Sequence, residues 1–531
     1  MGDKLCYHMI TTVDLRESPA VAADHTKLRK IIAGKLHIKE RDISEFRIIR
    51  RSIDARGQQI KINLTVQVAV LPDMSLKPEY EIRNFMPVKE EAPVMVIVGA
   101  GPAGLFAALK CIENGIRPIV LERGKDVDQR RHDLAKISRE KRINPDSNYC
   151  YGEGGAGAFS DGKLYTRSKK RGNNREVLEL LVQFGASENI LSDAHPHIGS
   201  DKLPGIIKHI RETIIKCGGE VRFSCKAERL VLDNDKAIGV ELNDGSIIKG
   251  AVMLANGHSA RDFIRNLHAQ NVGMEAKGFA IGVRLEHPQA LIDSIQYHTP
   301  EGRGEFLPAA EYSFVTQADG RGVYSFCMCP GGVIVPAGSA EGELVVNGMS
   351  ASARSGKWAN SGMVVEIRPG DFPEYEGAGE LQLLEMQEEL EKRVYNMAGS
   401  SIIAPAQRMK DFIDGRLSKD LPSSSYAPGI QSADFSEVLP QFISSRLKKG
   451  FEEFGRKRKG FISNNAILLG LESRTSSPVR LPRDKETLEH VDIENLYPVG
   501  EGAGYAGGIV SAAIDGMNAA AAHAVKIKNN K

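Results

Sequence analysis

From residue 60 to residue 70 apolar and polar positions alternate: Ile60, Ile62, Leu64, Val66, Val68 and Val70 are separated by Lys61, Asn63, Thr65, Gln67 and Ala69. A period of two predicts a strand with one buried face. Upstream, residues 27–36 read as a helix, residues 46–53 as a second strand and residues 7–13 as a first. Residues 1–88 are therefore expected to form a small α/β unit of order βαββ. Residues 77–93 hold Pro78, Pro87, Pro93 and four glutamates, and read as a linker or strap. Beyond it, residues 94–98 are an unbroken apolar run, as in a central parallel strand. A helix pattern follows over residues 105–113 and a second strand over 118–121. Residues 220–227 and 237–242 read as a hairpin returning to the sheet, and residues 251–255 as a further strand. Residues 279–285 alternate as a strand, and residues 496–499 form a last strand before a helix beginning at Ile509.

Composition narrows the class. Glycine fills 53 of 531 positions, about a tenth against a usual 7% or so, which marks tight turns or close backbone approach to a ligand. With 41% hydrophobic and 26% charged residues the chain is a folded protein of several domains. A formal charge of +2 gives no global pull toward nucleic acid or anionic lipid. Between Lys27 and Lys61, however, eleven basic residues face four acidic ones. A solvated face is the expected reading, with a basic docking surface for RNA or an acidic partner as the alternative. Asp3, Asp14, Arg16 and Glu17 interrupt any secretory signal in residues 1–20, and Asp515, Asn518 and His523 interrupt the most apolar window, residues 509–525. A soluble, cytoplasmic protein without a membrane partner is expected. Seven cysteines without a CxxC pair point to reduced thiols and no zinc site.

The apolar run at 94–98 ends in Gly99-Ala100-Gly101-Pro102-Ala103-Gly104. Gly99 permits the tight turn, Gly101 lets a pyrophosphate approach the backbone, and Gly104 lets the helix pack on the strand. Free N–H groups at the helix start then face the diphosphate. Glu122 closes the second strand 18 residues beyond Gly104, where a ribose-binding carboxylate belongs and where a 2′-phosphate is repelled. Strand, fingerprint, helix, strand and acid in register predict a site for NAD or FAD. A second glycine-rich stretch at residues 152–163 offers backbone N–H groups with Ser160 and Lys163, the additional cradle that a long FAD requires. A third, at residues 500–508, precedes the last helix, whose start would stabilise negative charge on a reduced flavin. Gly507 and Gly508 would admit the ring, and Glu501 would accept from ribityl or ribose hydroxyls.

The set VIVGAGPAGLFAA, GEGGAGAFSDGKL, ANGHSARD, YSFCMCPGG, ESRTSSPVR and LYPVGEGAGYAGGIVSAAIDG resembles a widespread family of FAD-dependent dehydrogenases over nearly the whole chain. That family has a glutathione-reductase-like FAD domain, similar to that of aromatic hydroxylases and fumarate reductases. The resemblance implies an α/β protein: a Rossmann-like FAD domain (89–275) completed by the C-terminus (466–531), with an inserted α+β substrate or cap domain (276–465) and the small N-terminal α/β domain (1–88). It also implies FAD held at Gly99, Gly101, Pro102, Ala103 and Gly104, and by Glu122, Arg123 and Arg130. The second loop would contribute Gly154, Gly155, Ala156, Ser160 and Lys163, with Ala227 and Gly257 nearby. The C-terminal loop would add Gly500, Glu501, Gly502, Gly507, Gly508 and Ile509. Asn256 stands where the family pattern suggests Thr, which puts one hydroxyl contact in doubt.

No Ser-His-Asp triad, metal cluster or P-loop is visible, so the hard chemistry falls to the cofactor. Arg284, His287 and Arg474 are the candidates for charge stabilisation or proton transfer, with strand-end salt bridging as the plainer reading of Arg284 and His287. Arg354 shares that ambiguity. Cys327 and Cys329 would share one face of an extended strand; small buried hydrophobes are the expected reading and a redox pair the alternative. The expected function is an FAD-dependent oxidoreductase that passes hydride between flavin and a small anionic organic substrate. A single dinucleotide unit leaves NADH or NADPH to enter only as a transient donor. Competing readings are a flavoprotein that binds RNA or a protein through its basic N-terminal unit, and one whose FAD is largely structural. Nucleic acid is not the expected partner, and the sequence leaves the oligomeric state open.

Overall fold

The computed structural model describes residues 9–70, 75–165 and 172–530. The first expected strand is seen from Met9, and the part at residues 7 and 8 lies outside the described residues. Met9–Glu17 and Ile43–Asp54 flank Lys61–Val70 in an antiparallel three-stranded sheet. The alternation does what its period requires: Ile62, Leu64, Val66 and Val68 are buried against Leu28 and Ile32 of the helix His25–Leu36. Asp24 caps that helix by accepting from Thr26 N and Lys27 N. Asp54 takes both Arg16 (3.2 Å) and Arg56 (2.8 Å). The unit joins the main body through backbone bonds between Arg51 and the segment Ser192 to Ala194. The strap crosses two helices of that body, with Arg83 ion-paired to Glu113 and Glu176.

The second sheet is parallel and five-stranded, in the order Leu496–Pro498, Ala251–Leu254, Val94–Val98, Arg117–Leu121, Glu220–Arg222. The first glycine loop thus leaves the middle strand, and the last strand of the chain completes the sheet. Helix Pro102–Glu113 covers one face, and the C-terminal helix Ile509–Asn529 lies on it so closely that a Cβ on Gly516 would stand 2.1 Å from the Ala103 carbonyl. The expected hairpin at 220–242 is divided: Glu220–Arg222 joins the parallel sheet, while Ala227–Asp233, Lys236–Leu242 and Ile247–Lys249 form a separate antiparallel sheet. The division follows from composition, because Ser224 and Cys225 turn the chain between the two sheets through backbone bonds to Gly124 and Glu122.

The inserted domain is built on an eight-stranded sheet. Phe279–Pro288 lies inside it, paired antiparallel with Trp358–Ile367 on one side and Ile467–Glu472 on the other. The expected boundary at residue 465 therefore falls just before a strand that belongs to this sheet. Phe279–Pro288 is buried almost throughout instead of alternating, because sheet neighbours and packed helices cover it on all sides. Among the described residues no helix is long and apolar enough to cross a membrane.

Candidate active site

Two helix N-termini converge on one cleft. Gly101 precedes helix Pro102–Glu113 and Gly508 precedes helix Ile509–Asn529, and neither helix start has a side-chain cap. The orphan N–H groups and positive dipole ends of both helices are therefore available to an anionic ligand. Gly99 and Gly508 both take a φ of 107°. At Gly99 a Cβ would also lie 2.4 Å from the Ala255 carbonyl, so no other residue makes this turn without moving the neighbouring strand. Gly104 is required for space: its Cβ would stand 2.0 Å from the Gly99 carbonyl.

The second glycine loop is docked onto the first. Gly154 N donates to the Ala100 carbonyl at 2.8 Å, and the Cα atoms of Gly101 and Gly155 face each other without side chains between them. Glu122 fastens both loops, accepting from Ala100 N (3.0 Å), Gly124 N (2.9 Å) and Gly152 N (3.0 Å). These charge-assisted bonds make Glu122 a clasp as well as a cavity residue. A carboxylate has about four acceptor sites, so about one remains for a ribose hydroxyl. Arg130 has a different role from the one expected. It is fully buried beneath the loop, does not line the cleft, and donates to the carbonyls of Asn148, Tyr149, Gly152, Glu153 and Gly155. Burial lowers its pKa to about 10, which leaves it charged at neutral pH. Asp515 performs a similar service at the C-terminal loop, accepting from Gly500 N at 2.8 Å and pairing with Arg483 at 2.6 Å.

The cleft takes in about 1580 Å³ of space, open solvent at its mouth included. Of the residues expected on the cofactor it is lined by Gly99, Gly101, Pro102, Ala103, Glu122, Arg123, Gly155, Ala156, Ser160, Lys163, Ala227, Gly257, Gly500, Glu501, Gly508 and Ile509. Gly104, Gly154 and Gly502 stand behind this lining, where they set close spacings, and Gly507 is exposed outside it. The cleft fits a dinucleotide flavin on three counts. All three glycine loops line it, two adjacent uncapped helix starts open onto it, and the Asn256 side-chain oxygen on its wall is buried without a hydrogen-bond partner in the protein. Beside it His258 Nδ1 stands 3.5 Å from a Glu501 carboxylate oxygen. Sequence spacing does not register Tyr151, whose ring lies under the Arg123 guanidinium at 4.2 Å.

The opposite wall comes from the inserted domain: Phe326, Cys327, Asn347, Gly348 and Arg474. Arg474 reaches the cleft as expected, but its charge is already matched. It pairs with Glu343 (2.7 Å) and Glu391 (2.8 Å), which Arg261 shares. Burial raises Glu391, yet Arg261 and Arg474 outweigh burial and hold the carboxyl at about 2. Arg284 and His287 do not reach the cleft. Arg284 is fully buried behind the wall, bonded to Asn360, Asn347, Glu472 and the Cys327 carbonyl. His287 is fully buried against Phe461, bonds its carbonyl at 2.8 Å, and is pushed by burial down to about 4. Both face the interior because their strand is internal to the sheet, so Arg284 positions wall residues and His287 is a core histidine. Lys163 completes the wall, ion-paired to Asp161 at 2.7 Å and donating to the Met328 carbonyl. Arg354 lies behind it on the same Asp161. Among the described residues no cluster of His, Cys, Asp or Glu could hold a metal ion.

Comparison with known proteins agrees with this arrangement. The family described as "FAD-dependent protein, C-terminal domain-like" matches residues 278–475, and a domain of unknown function (DUF8436) matches residues 9–69. Among solved structures the chain is similar to the tetracycline destructase Tet(51), at 12% identity, 84% of each chain and a TM-score of 0.35. It is also similar to a geranylgeranyl bacteriochlorophyll reductase-like protein of Thermoplasma acidophilum, at 14% identity, 83% of this chain, 80% of that one and a TM-score of 0.34. Likeness at that level carries no argument about activity. An uncharacterized protein of Clostridium beijerinckii is 43% identical over 514 residues, 94% of this chain and 95% of that one. With a relative of that extent and the matched C-terminal domain, the chain belongs to a family of FAD-dependent proteins.

Proposed function

We propose that the chain binds FAD along the cleft and acts as an oxidoreductase on a small, anionic organic substrate. The observation that carries this reading is the convergence of two uncapped helix N-termini, at Gly101 and Gly508, on one glycine-lined cleft. The helix at Gly101 would meet the diphosphate, and Glu122 the AMP ribose. Glu501 would accept from ribityl hydroxyls, and the helix at Ile509 would stabilise negative charge at the far end of the cofactor. When bound, FAD supplies two-electron hydride chemistry. The chain's own residues position it, exclude water and meet the substrate at the wall formed by Phe326, Asn347 and Lys163. The support for an anion is the Lys163 ammonium on this wall, whose carboxylate partner, Asp161, is shared with Arg354, whereas Arg474 contacts two carboxylates. NADH or NADPH would enter transiently at the open face. Anaerobic addition of NADH, NADPH and small organic acids to yellow, FAD-loaded protein tests this reading. Bleaching by at least one of them supports it. Protein that keeps its colour with all of them, and that passes no electrons to any acceptor even after dithionite, contradicts it and favours a structural FAD.

A further inference from the structure

Strand Arg321–Pro336 pairs regularly with Trp358–Ile367 up to Phe326, then slips register before Cys329. The irregularity is a bulge centred on Cys327, which takes a left-handed φ of 44°. Bulges beside functional sites re-aim side chains, and a non-glycine residue held at such a φ marks a position fixed by its surroundings. Here the bulge breaks the shared face expected of residues two apart. Cys327 lines the cleft while Cys329 is fully buried behind it. The two residues remain neighbours. The Cys329 sulfur lies 3.4 Å from the Cys327 carbonyl, and Arg284 Nη2 donates to both the Cys327 carbonyl (2.8 Å) and the Cys329 sulfur (3.4 Å). Lys163 supplies a second cation, with Asp161 on its own loop and Glu472 on the adjacent strand as the facing carboxylates.

We propose that Cys327 and Cys329 are a redox-active dithiol opening onto the cleft, with Cys327 as the cleft-lining sulfur and Cys329 as its resolving partner. Its electron acceptor is the FAD of the preceding reading, on which this half of the inference rests. On oxidation the Cys327 thiolate and the Cys329 thiol together lose two electrons and one proton as the S–S bond forms, and FAD takes up both electrons and the proton. The local electrostatics suit that division. The Cys329 hydrogen bond, reinforced by Lys163 and Arg284, holds the Cys327 thiol below its ordinary range, and the same hydrogen bond together with burial raises Cys329. The cleft-lining sulfur is thus the one poised as thiolate, the form that reacts.

The test reads the sulfurs directly. Residues 322–354 lie between two arginines and contain Cys327 and Cys329 but no other cysteine, so trypsin isolates the pair. FAD-loaded protein oxidised with ferricyanide, then denatured in iodoacetamide and digested, should give this peptide unlabelled and lighter by two hydrogens. Prior reduction with dithiothreitol should give it doubly labelled. In anaerobic titration the oxidised protein should consume about twice the dithionite per FAD that Cys329→Ser or Cys327→Ser consumes. A doubly labelled peptide from oxidised protein overturns the dithiol, and this measurement needs no variant. A disulfide without the additional reductant uptake overturns the electron path to FAD. Flavin released from the same sample is counted separately. A colourless preparation contradicts the cofactor reading instead, while the peptide masses still decide the dithiol.

Discussion

The two walls of the cleft are built on different plans. The wall contributed by the parallel-sheet domain presents backbone: Gly99, Gly101, Gly155 and Gly508 bring N–H groups to the ligand and carry no side chains to obstruct it. The wall contributed by the inserted domain presents side chains, Phe326, Cys327 and Arg474 among them, held by partners far away in the chain. A backbone wall needs particular spacings in the sequence, whereas a side-chain wall needs particular tertiary pairings. The first suits a ligand that carries a diphosphate. The second is where members of one family can differ in substrate.

A large effect is expected on each wall, and the side-chain wall is tested at its buried charges. Arg474→Met leaves Glu343 and Glu391 buried with Arg261 as their remaining cation in the quartet. Breaking a buried pair in this way costs about 3–5 kcal/mol. Denaturant unfolding should show the loss, with residual FAD affinity in the folded fraction close to that of the parent. Glu122→Ala attacks the backbone wall. It strips the acceptor from three N–H groups, each worth about 1–3 kcal/mol when left buried and unpaired, so stability should fall by roughly 3 kcal/mol or more. FAD affinity, followed by flavin fluorescence, should fall at least about tenfold alongside it. If Arg474→Met lost as much FAD affinity as Glu122→Ala, the division of labour between the walls would be wrong.

Behind the side-chain wall, His287 gives a pH dependence of definite sign. Its folded pKa is about 4 and its unfolded value about 6.5, so between these limits the unfolded chain binds the additional proton. Stability is fully present above pH 6.5 or so and is lost as pH falls toward 4, about 2 kcal/mol of it by pH 5. His287→Leu should flatten that part of the stability profile, as read from unfolding midpoints across the range. An unchanged slope would contradict the assignment of His287 to the core.

The smallest effect sharpens the comparison at a single backbone position. Gly508 combines φ 107° with ψ 159°, a conformation that is essentially reserved for glycine and costs other residues about 1–3 kcal/mol. Gly508→Val should lower FAD affinity roughly tenfold through strain and obstruction at the helix start, with little change in circular dichroism. Full occupancy by FAD in this variant would show that the cofactor does not reach the C-terminal helix.

What the sequence discloses follows the same division. The fingerprint from Gly99 to Gly104, its acid at Glu122 and the loops at residues 152–163 and 500–508 are local patterns, and each lies at or directly behind the cleft. Arg130 is misread because a cation amid glycines suggests a phosphate, while the loop's own carbonyls consume its donors. The salt-bridge reading of Arg284 holds in its pair with Glu472, while the catalytic reading of Arg284 and His287 fails because their partners, Asn360, Glu472 and Phe461, are distant in the chain and nothing near them reveals that their charge and ring are already satisfied. Cys327 was discernible in outline. A Cys-x-Cys running into Pro330, Gly331 and Gly332 breaks the strand pattern, and glycine within a strand is a bulge signal. Asn347 and Phe326 give no such sign, since their place on the wall depends on the pairing of the eight-stranded sheet.

The central claim is that the glycine loops and the two helix starts of one cleft grip a single extended cofactor. The measurement closest to that claim is the identity of the flavin released when the purified protein is denatured. FAD at about one molecule per chain is the predicted result, because a ligand without the AMP half would leave the Gly101 helix start and Glu122 without their counterparts. Release of FMN, or of no flavin after reconstitution with FAD, would contradict the account.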